Sequence, residues 1–216
     1  MSSKWMRFAQ KTRVPAGTVL GIVFLLFMHP SVRSLLIGGV FALAGALVRV
    51  WAAGHIEKRV CLTRSGPYAR TRNPLYLGSF FMAFGVILAG QGYWLLPFFA
   101  LFFIGVYLPV MRAEEQDLES TWGADFLEYA RSTPLFFPKK AGRTEKLKNA
   151  DTVETLARFS WSRVRKNREH RNLISLLLIG VILIFQMLFE PGYFVRIHVL
   201  EAISNFLSRW LIISNS

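Results

Sequence analysis

Five apolar runs, parted by clusters of basic residues, constrain this chain more than any other feature. They cover Val14–Met28, Leu35–Ala53, Leu75–Ala89, Trp94–Met111 and Leu173–Phe189. A helix needs about 20 residues to cross the hydrocarbon core of a bilayer. Several of the runs are shorter than that, so their flanks must extend them. Hydrophobic residues make up 53% of the 216 positions, above the roughly 45–50% of a soluble domain. The formal net charge of +13 would suggest nucleic acid in a soluble protein. Here Arg and Lys avoid the apolar runs and gather between them. That pattern belongs to a polytopic membrane protein, and no nucleic-acid partner is expected.

The connections set the topology. His29-Pro30-Ser31 is long enough only for a tight turn between the first two runs, and Gly90-Gln91-Gly92-Tyr93 is another between the third and fourth. Two helical hairpins are expected. Lys4, Arg7, Lys11 and Arg13 precede the first run, and Lys58, Arg59, Arg64, Arg70 and Arg72 lie between the second and third. Arg112 and a dense basic set from Lys139 to Arg171 follow the fourth. The opposite turns carry only Arg33 and Arg196. The N-terminus and the 54–74 loop are therefore expected on the cytoplasmic side. No convincing small-residue cleavage site follows the first run, so it is expected to be retained as a span. Cys61 is the single cysteine, which rules out an intrachain disulfide.

The expected fold is all-α, an integral membrane protein of about five transmembrane helices plus a C-terminal helix. From Tyr193 to Ile213 a polar stripe of Arg196, Glu201, Asn205 and Arg209 fits an amphipathic interfacial helix or a sixth span. The chain divides into a core over 1–138, a basic cytoplasmic segment over 139–172, and C-terminal membrane helices over 173–216. The basic segment reads as solvated and in contact with anionic lipid headgroups.

Chemistry concentrates at one membrane depth. The stretch GPYARTRNPLYLG runs from Gly66 to Gly78. Asn73 suits a helix N-cap and Pro74 the first helical position, so a plain helix start explains part of it. Tyr68, Arg72 and Tyr76 converge on the same helix end, where free N–H groups suit a carboxylate or phosphate. After the fourth run, Leu118, Trp122, Phe126 and Tyr129 follow one helical stripe, which extends back to Met111 and Leu108. Glu114 and Glu115 are expected along that inward face. Two acids there need a cation. Arg70, Arg72 or Arg112 would make a structural ion pair; a ligand cation or amine would make a site. Arg49 and His55, at the end of the second run, read as a snorkelling arginine and a solvated interfacial histidine. The four histidines are too scattered for a metal site.

The segment LTRSGPYARTRNPLYLG, followed after a helical hairpin by EEQDLESTWGADFLEYARSTPLFFP, resembles the isoprenylcysteine carboxyl methyltransferase family. More broadly, it resembles the membrane methyltransferases that include phospholipid N-methyltransferases. The likeness covers roughly Ala44–Pro138. It implies an S-adenosylmethionine-dependent enzyme whose site opens to the cytoplasm and which takes a lipophilic substrate from the bilayer. Carried over residue by residue, cofactor contacts fall on Cys61, Leu62, Thr63, Tyr68, Asn73, Pro74, Leu75 and Tyr76. The family's cofactor glutamate matches Glu114, with Glu115 second. Its substrate-side arginine is nearest to Arg112, in an imperfect register, and Arg112 and Tyr76 are the expected catalytic pair. Asn73 stands where many members have histidine and cannot titrate. A carboxylate acceptor needs no general base, which favours carboxyl O-methylation over a phospholipid amine acceptor. A non-catalytic membrane scaffold is the alternative outside enzymes. The oligomeric state is left open.

Overall fold

The computed structural model describes residues 17–25, 27–57, 60–139 and 158–189. The basic N-terminus, the middle of the basic segment and the proposed C-terminal helix over 193–213 lie outside the described residues. Among the described residues every regular element is helical. Residues 17–25 are helical (α1), followed by α2 (Val32–His55) and α3 (Pro74–Ala89). One continuous helical run, α4 (Tyr93–Trp122), comes next, then α5 (Ala124–Ser132), α6 (Trp161–Lys166) and α7 (Glu169–Phe189).

Three of these, α2, α4 and α7, are long and apolar enough to cross a membrane. The expectation of about five spans is thus met in kind, while the number is not fixed. With 16 residues, α3 is only about 24 Å long. It is apolar but falls short of the usual span length.

Local chemistry starts each helix. Ser31 and Ser34 form a reciprocal capping box at α2: Ser31 Oγ accepts from Ser34 N (3.2 Å) and Ser34 Oγ from Ser31 N (2.9 Å). The two predicted turns meet, since His29 N donates to the Gly90 carbonyl at 2.8 Å. The α2–α3 contact is close because glycines face backbone. A Cβ on Gly38 would come within 2.3 Å of the Gly85 carbonyl, and one on Gly45 within 2.5 Å of the Gly78 carbonyl. Small residues let helix backbones approach where lipid supplies no hydrophobic drive between helices.

Inside α4, Phe103–Tyr107 forms a π-helical turn just before Pro109. Proline has no N–H to give and clashes with the carbonyl four residues back, so the ladder widens there. Phe80, Phe103 and Phe136 pack at this level, with ring centroids 5.0 Å apart for Phe80–Phe103 and for Phe103–Phe136.

Two expectations need correction. The single stripe from Leu118 to Tyr129 is broken at Gly123, which takes φ +52° and separates α4 from α5. Leu118 is left exposed while Phe126 and Tyr129 are buried. The described end of the basic segment, from residue 158, is docked rather than solvated. Ser160 N donates to the Gly54 carbonyl (2.9 Å), and buried Arg163 donates to the His55 carbonyl (2.9 Å). The last described span begins at Glu169, four residues before the apolar run that starts at Leu173.

Candidate active site

The loop before α3 is held by a second extended strip of chain. Thr71, buried, donates its hydroxyl to the Phe136 carbonyl at 2.8 Å. Arg72 N donates to the Pro134 carbonyl (2.9 Å), and Lys139 N to the Arg70 carbonyl (3.0 Å). Asn73 occupies the N-cap position of α3 but does not cap it: its Nδ2 donates to the Leu135 carbonyl at 3.1 Å. The amide at this position therefore ties the two strips together.

The seam and the acid pair meet. Tyr76 Oη donates to Glu114 Oε1 at 2.7 Å. The Tyr76 ring lies edge-on to Tyr107, with centroids 5.7 Å apart. Arg72 Nη1 sits 3.0 Å from Glu115 Oε1. The two acids do not share the inward face as expected, because Glu115 is half-buried and Glu114 exposed. With Glu115 compensated by Arg72, Glu114 has no ion-pair partner among the described residues. Arg112 is exposed on α4.

Beside this contact lies Tyr68, only 6% exposed. Its hydroxyl is buried and finds no hydrogen-bond partner among the described residues, as is also true of Thr63 Oγ1 and Arg72 Nε. Burial, reinforced by the neighbouring Tyr129 and Glu114, holds the Tyr68 hydroxyl far above the ordinary tyrosine range. Tyr129 is raised as well, chiefly by burial, and donates its hydroxyl to the Tyr68 carbonyl at 2.7 Å. Native proteins leave few buried polar groups unpaired, and here three without a partner among the described residues fall in one loop region.

Cys61 and Leu62 are half-buried in the extended stretch before Thr63, and no described hydrogen bond links them to Tyr76 or Glu114. Pro74 is buried and starts α3, with Leu75 beside it.

Sequence reasoning missed the most buried charge among the described residues. Glu169 is 4% exposed and takes Arg49 in a bidentate pair: Nε to Oε2 at 3.0 Å, Nη2 to Oε1 at 2.7 Å. Arg49 therefore does not snorkel. A lone acid at the head of an apolar run, within a basic stretch, was the available signal. His55 is also buried rather than solvated, with Nδ1 2.9 Å from the Trp51 carbonyl.

A partly open apolar cavity of about 340 Å³ lies among α1, α2, α3, α4 and α7. Phe24, Phe80, Phe99 and Tyr107 line it, with Arg49 and Ser79 supplying polar wall. Tyr107 thus borders both the cavity and Tyr76.

Residues 48–125 match the phospholipid methyltransferase family. That family is related to the isoprenylcysteine carboxyl methyltransferases, so the resemblance in the sequence motifs holds. The match contains every residue of the Tyr68–Tyr76–Glu114 constellation. The chain is also similar to the cobalt-zinc-cadmium resistance protein CzcN of Cupriavidus metallidurans, 37% identical over 93 residues. The nickel-cobalt-cadmium resistance protein NccN of Alcaligenes xylosoxydans xylosoxydans is 36% identical over 93 residues. Each alignment covers 42% of this chain and 43% of the relative, so the chain spans under half the length of these relatives. Neither name states a reaction. No solved structure matches.

Proposed function

We propose that this protein is a membrane methyltransferase that uses S-adenosylmethionine and methylates a carboxylate on a lipophilic substrate. One observation carries it. The Tyr76–Glu114 hydrogen bond joins the two family motifs into one site, beside a buried tyrosine hydroxyl with no partner among the described residues. The residues present fit the cofactor's chemistry. Glu114, which has no ion-pair partner among the described residues, suits its ammonium, and the first turn of α3 suits its carboxylate. Tyr68 Oη and Thr63 Oγ1 offer polar contacts to its ribose or adenine, and the Tyr76 and Tyr107 rings suit a sulfonium.

When bound, S-adenosylmethionine would supply an electrophilic methyl group. The protein's own work is positioning and exclusion of water. The apolar cavity would hold the substrate's hydrocarbon, with Tyr107 at the junction. Arg112, two residues before Glu114, would meet the acceptor's carboxylate. An ionised carboxylate needs no base, and Asn73 provides none. The active side is proposed to face the cytoplasm, following the placement of basic residues.

The deciding measurement is calorimetric binding of S-adenosylmethionine and S-adenosylhomocysteine to the wild type and to Glu114→Gln, in detergent and in nanodiscs. Binding that the substitution weakens more than tenfold, about 1.4 kcal/mol, is expected. No binding by folded wild type in either medium would overturn the enzyme and leave a scaffold in which the acids serve packing. The family match itself favours a second acceptor, a phospholipid amine. Lipid analysis after gene deletion separates the two, since methylated headgroups disappear only under the second.

A further inference from the structure

We propose that Glu169 is a positioning residue for the candidate site, acting through Arg49 on the first turn of α3. The proposal rests on the methyltransferase interpretation above and extends it to α7, outside the family-matched residues 48–125.

The geometry runs in one chain of contacts. Glu169 holds two nitrogens of the Arg49 guanidinium, the planar fork-to-fork arrangement that best fixes an arginine. Asn172 Nδ2 donates to the same Glu169 Oε2 at 3.0 Å and steadies the carboxylate. The third arm of the guanidinium, Nη1, is thereby aimed at α3. It donates to the Leu75 carbonyl at 3.2 Å and to Ser79 Oγ. Ser79 in turn donates to the Leu75 carbonyl at 3.0 Å. Leu75 is the residue before Tyr76, whose hydroxyl holds Glu114 at 2.7 Å. The Leu75 carbonyl is thus gripped from two sides, one residue from the candidate cofactor contact. Three helices, α2, α3 and α7, meet at this guanidinium.

Stability alone is a weak reason for such a pair. A buried ion pair loses much of its Coulomb gain to desolvation, and apolar replacements of similar volume are often as stable. Breaking it from one side is different, because it strands a buried charge. A positioning role and a packing role therefore separate in the double substitution Arg49→Met/Glu169→Met. It removes both charges and also the Arg49 bond to the Leu75 carbonyl, leaving only that of Ser79.

The test measures the thermal midpoint in detergent and S-adenosylmethionine binding by calorimetry, for wild type, the double variant, Glu169→Gln and Glu169→Asp. The double variant is expected to keep a midpoint close to wild type while binding at least tenfold more weakly. Glu169→Asp, which keeps the charge, is expected to bind more tightly than Glu169→Gln. A double variant that folds and binds like wild type would overturn the proposal. If the double variant does not fold, equal binding by Glu169→Asp and Glu169→Gln overturns it instead. Wild type that binds nothing removes the methyltransferase interpretation and this proposal together. Wild-type binding that none of the variants changes removes this proposal alone.

Discussion

A buried hydroxyl with no partner among the described residues shows at the residue scale where this fold gives up stability. Tyr68 Oη is such a group, and its desolvation costs about 1–3 kcal/mol that no described bond returns. Tyr68→Phe is therefore expected to leave the unliganded thermal midpoint unchanged or higher, while weakening S-adenosylmethionine binding. A lowered midpoint with unchanged binding would show that the hydroxyl serves packing instead. The same environment fixes a pH response. Tyr68 and Tyr129 are both held above their unfolded value of about 10. A raised folded value means that the native state keeps the proton more tightly. Their contribution is complete below pH ~10 and is lost as the pH climbs from there toward the folded values. Tyrosinate absorbance should thus lag behind that of free tyrosine until unfolding releases both groups together. Titration of all described tyrosines at the ordinary value would contradict this.

The α2–α3 seam is the feature that matters most at the scale of elements. An alanine at Gly38 would put its Cβ 2.3 Å from both the Gly85 carbonyl and the Ala89 nitrogen. Both neighbours are backbone, so the helices would have to part. The expected cost is about 1–3 kcal/mol, typical of overpacking. Gly39, one residue on, meets nothing within 4 Å and is the control. Gly38→Ala should lower the thermal midpoint clearly and Gly39→Ala should not. Similar midpoints for both would mean that the helices do not pack this closely. Because α3 carries Tyr76 at one end, Gly38→Ala should also loosen the Tyr76–Glu114 contact. At the break between α4 and α5, Gly123 takes a positive φ, and there a change of helix direction replaces the continuous stripe that periodicity suggested.

The whole molecule brings together pieces from distant parts of the sequence. Residues 70–73 are stitched to 134–139, and Arg49 to Glu169, 120 positions apart. The proposed orientation in the membrane rests on the charge pattern rather than on packing. Cys61, the single cysteine, is partly exposed in the loop that leads to the candidate site. A membrane-impermeant maleimide is therefore expected to label it in inverted vesicles but not in right-side-out ones. Labelling only in right-side-out vesicles would reverse the proposed topology.

Periodicity, run length and charge placement were enough to read an all-helical membrane chain, the turns at 29–31 and 90–93, and the two motifs of the candidate site. These features are local: a run of apolar residues must bury its backbone polar groups in helix wherever it ends up in lipid. Tyr68, Tyr76 and Glu114 could be singled out for a similar reason, because each sits in a short motif of specific composition. What pairs with what was not legible. The partition of the acids, Glu115 to Arg72 and Glu114 to Tyr76, depends on how α3 and α4 rotate against each other. Asn73 exchanged capping for a tertiary bond to Leu135, which no local rule anticipates. Arg49 and Glu169 found each other only because α7 packs beside α2. Such pairings are decided by packing over long sequence separations, where many partners of suitable charge exist and only the folded chain brings one of them within bonding distance.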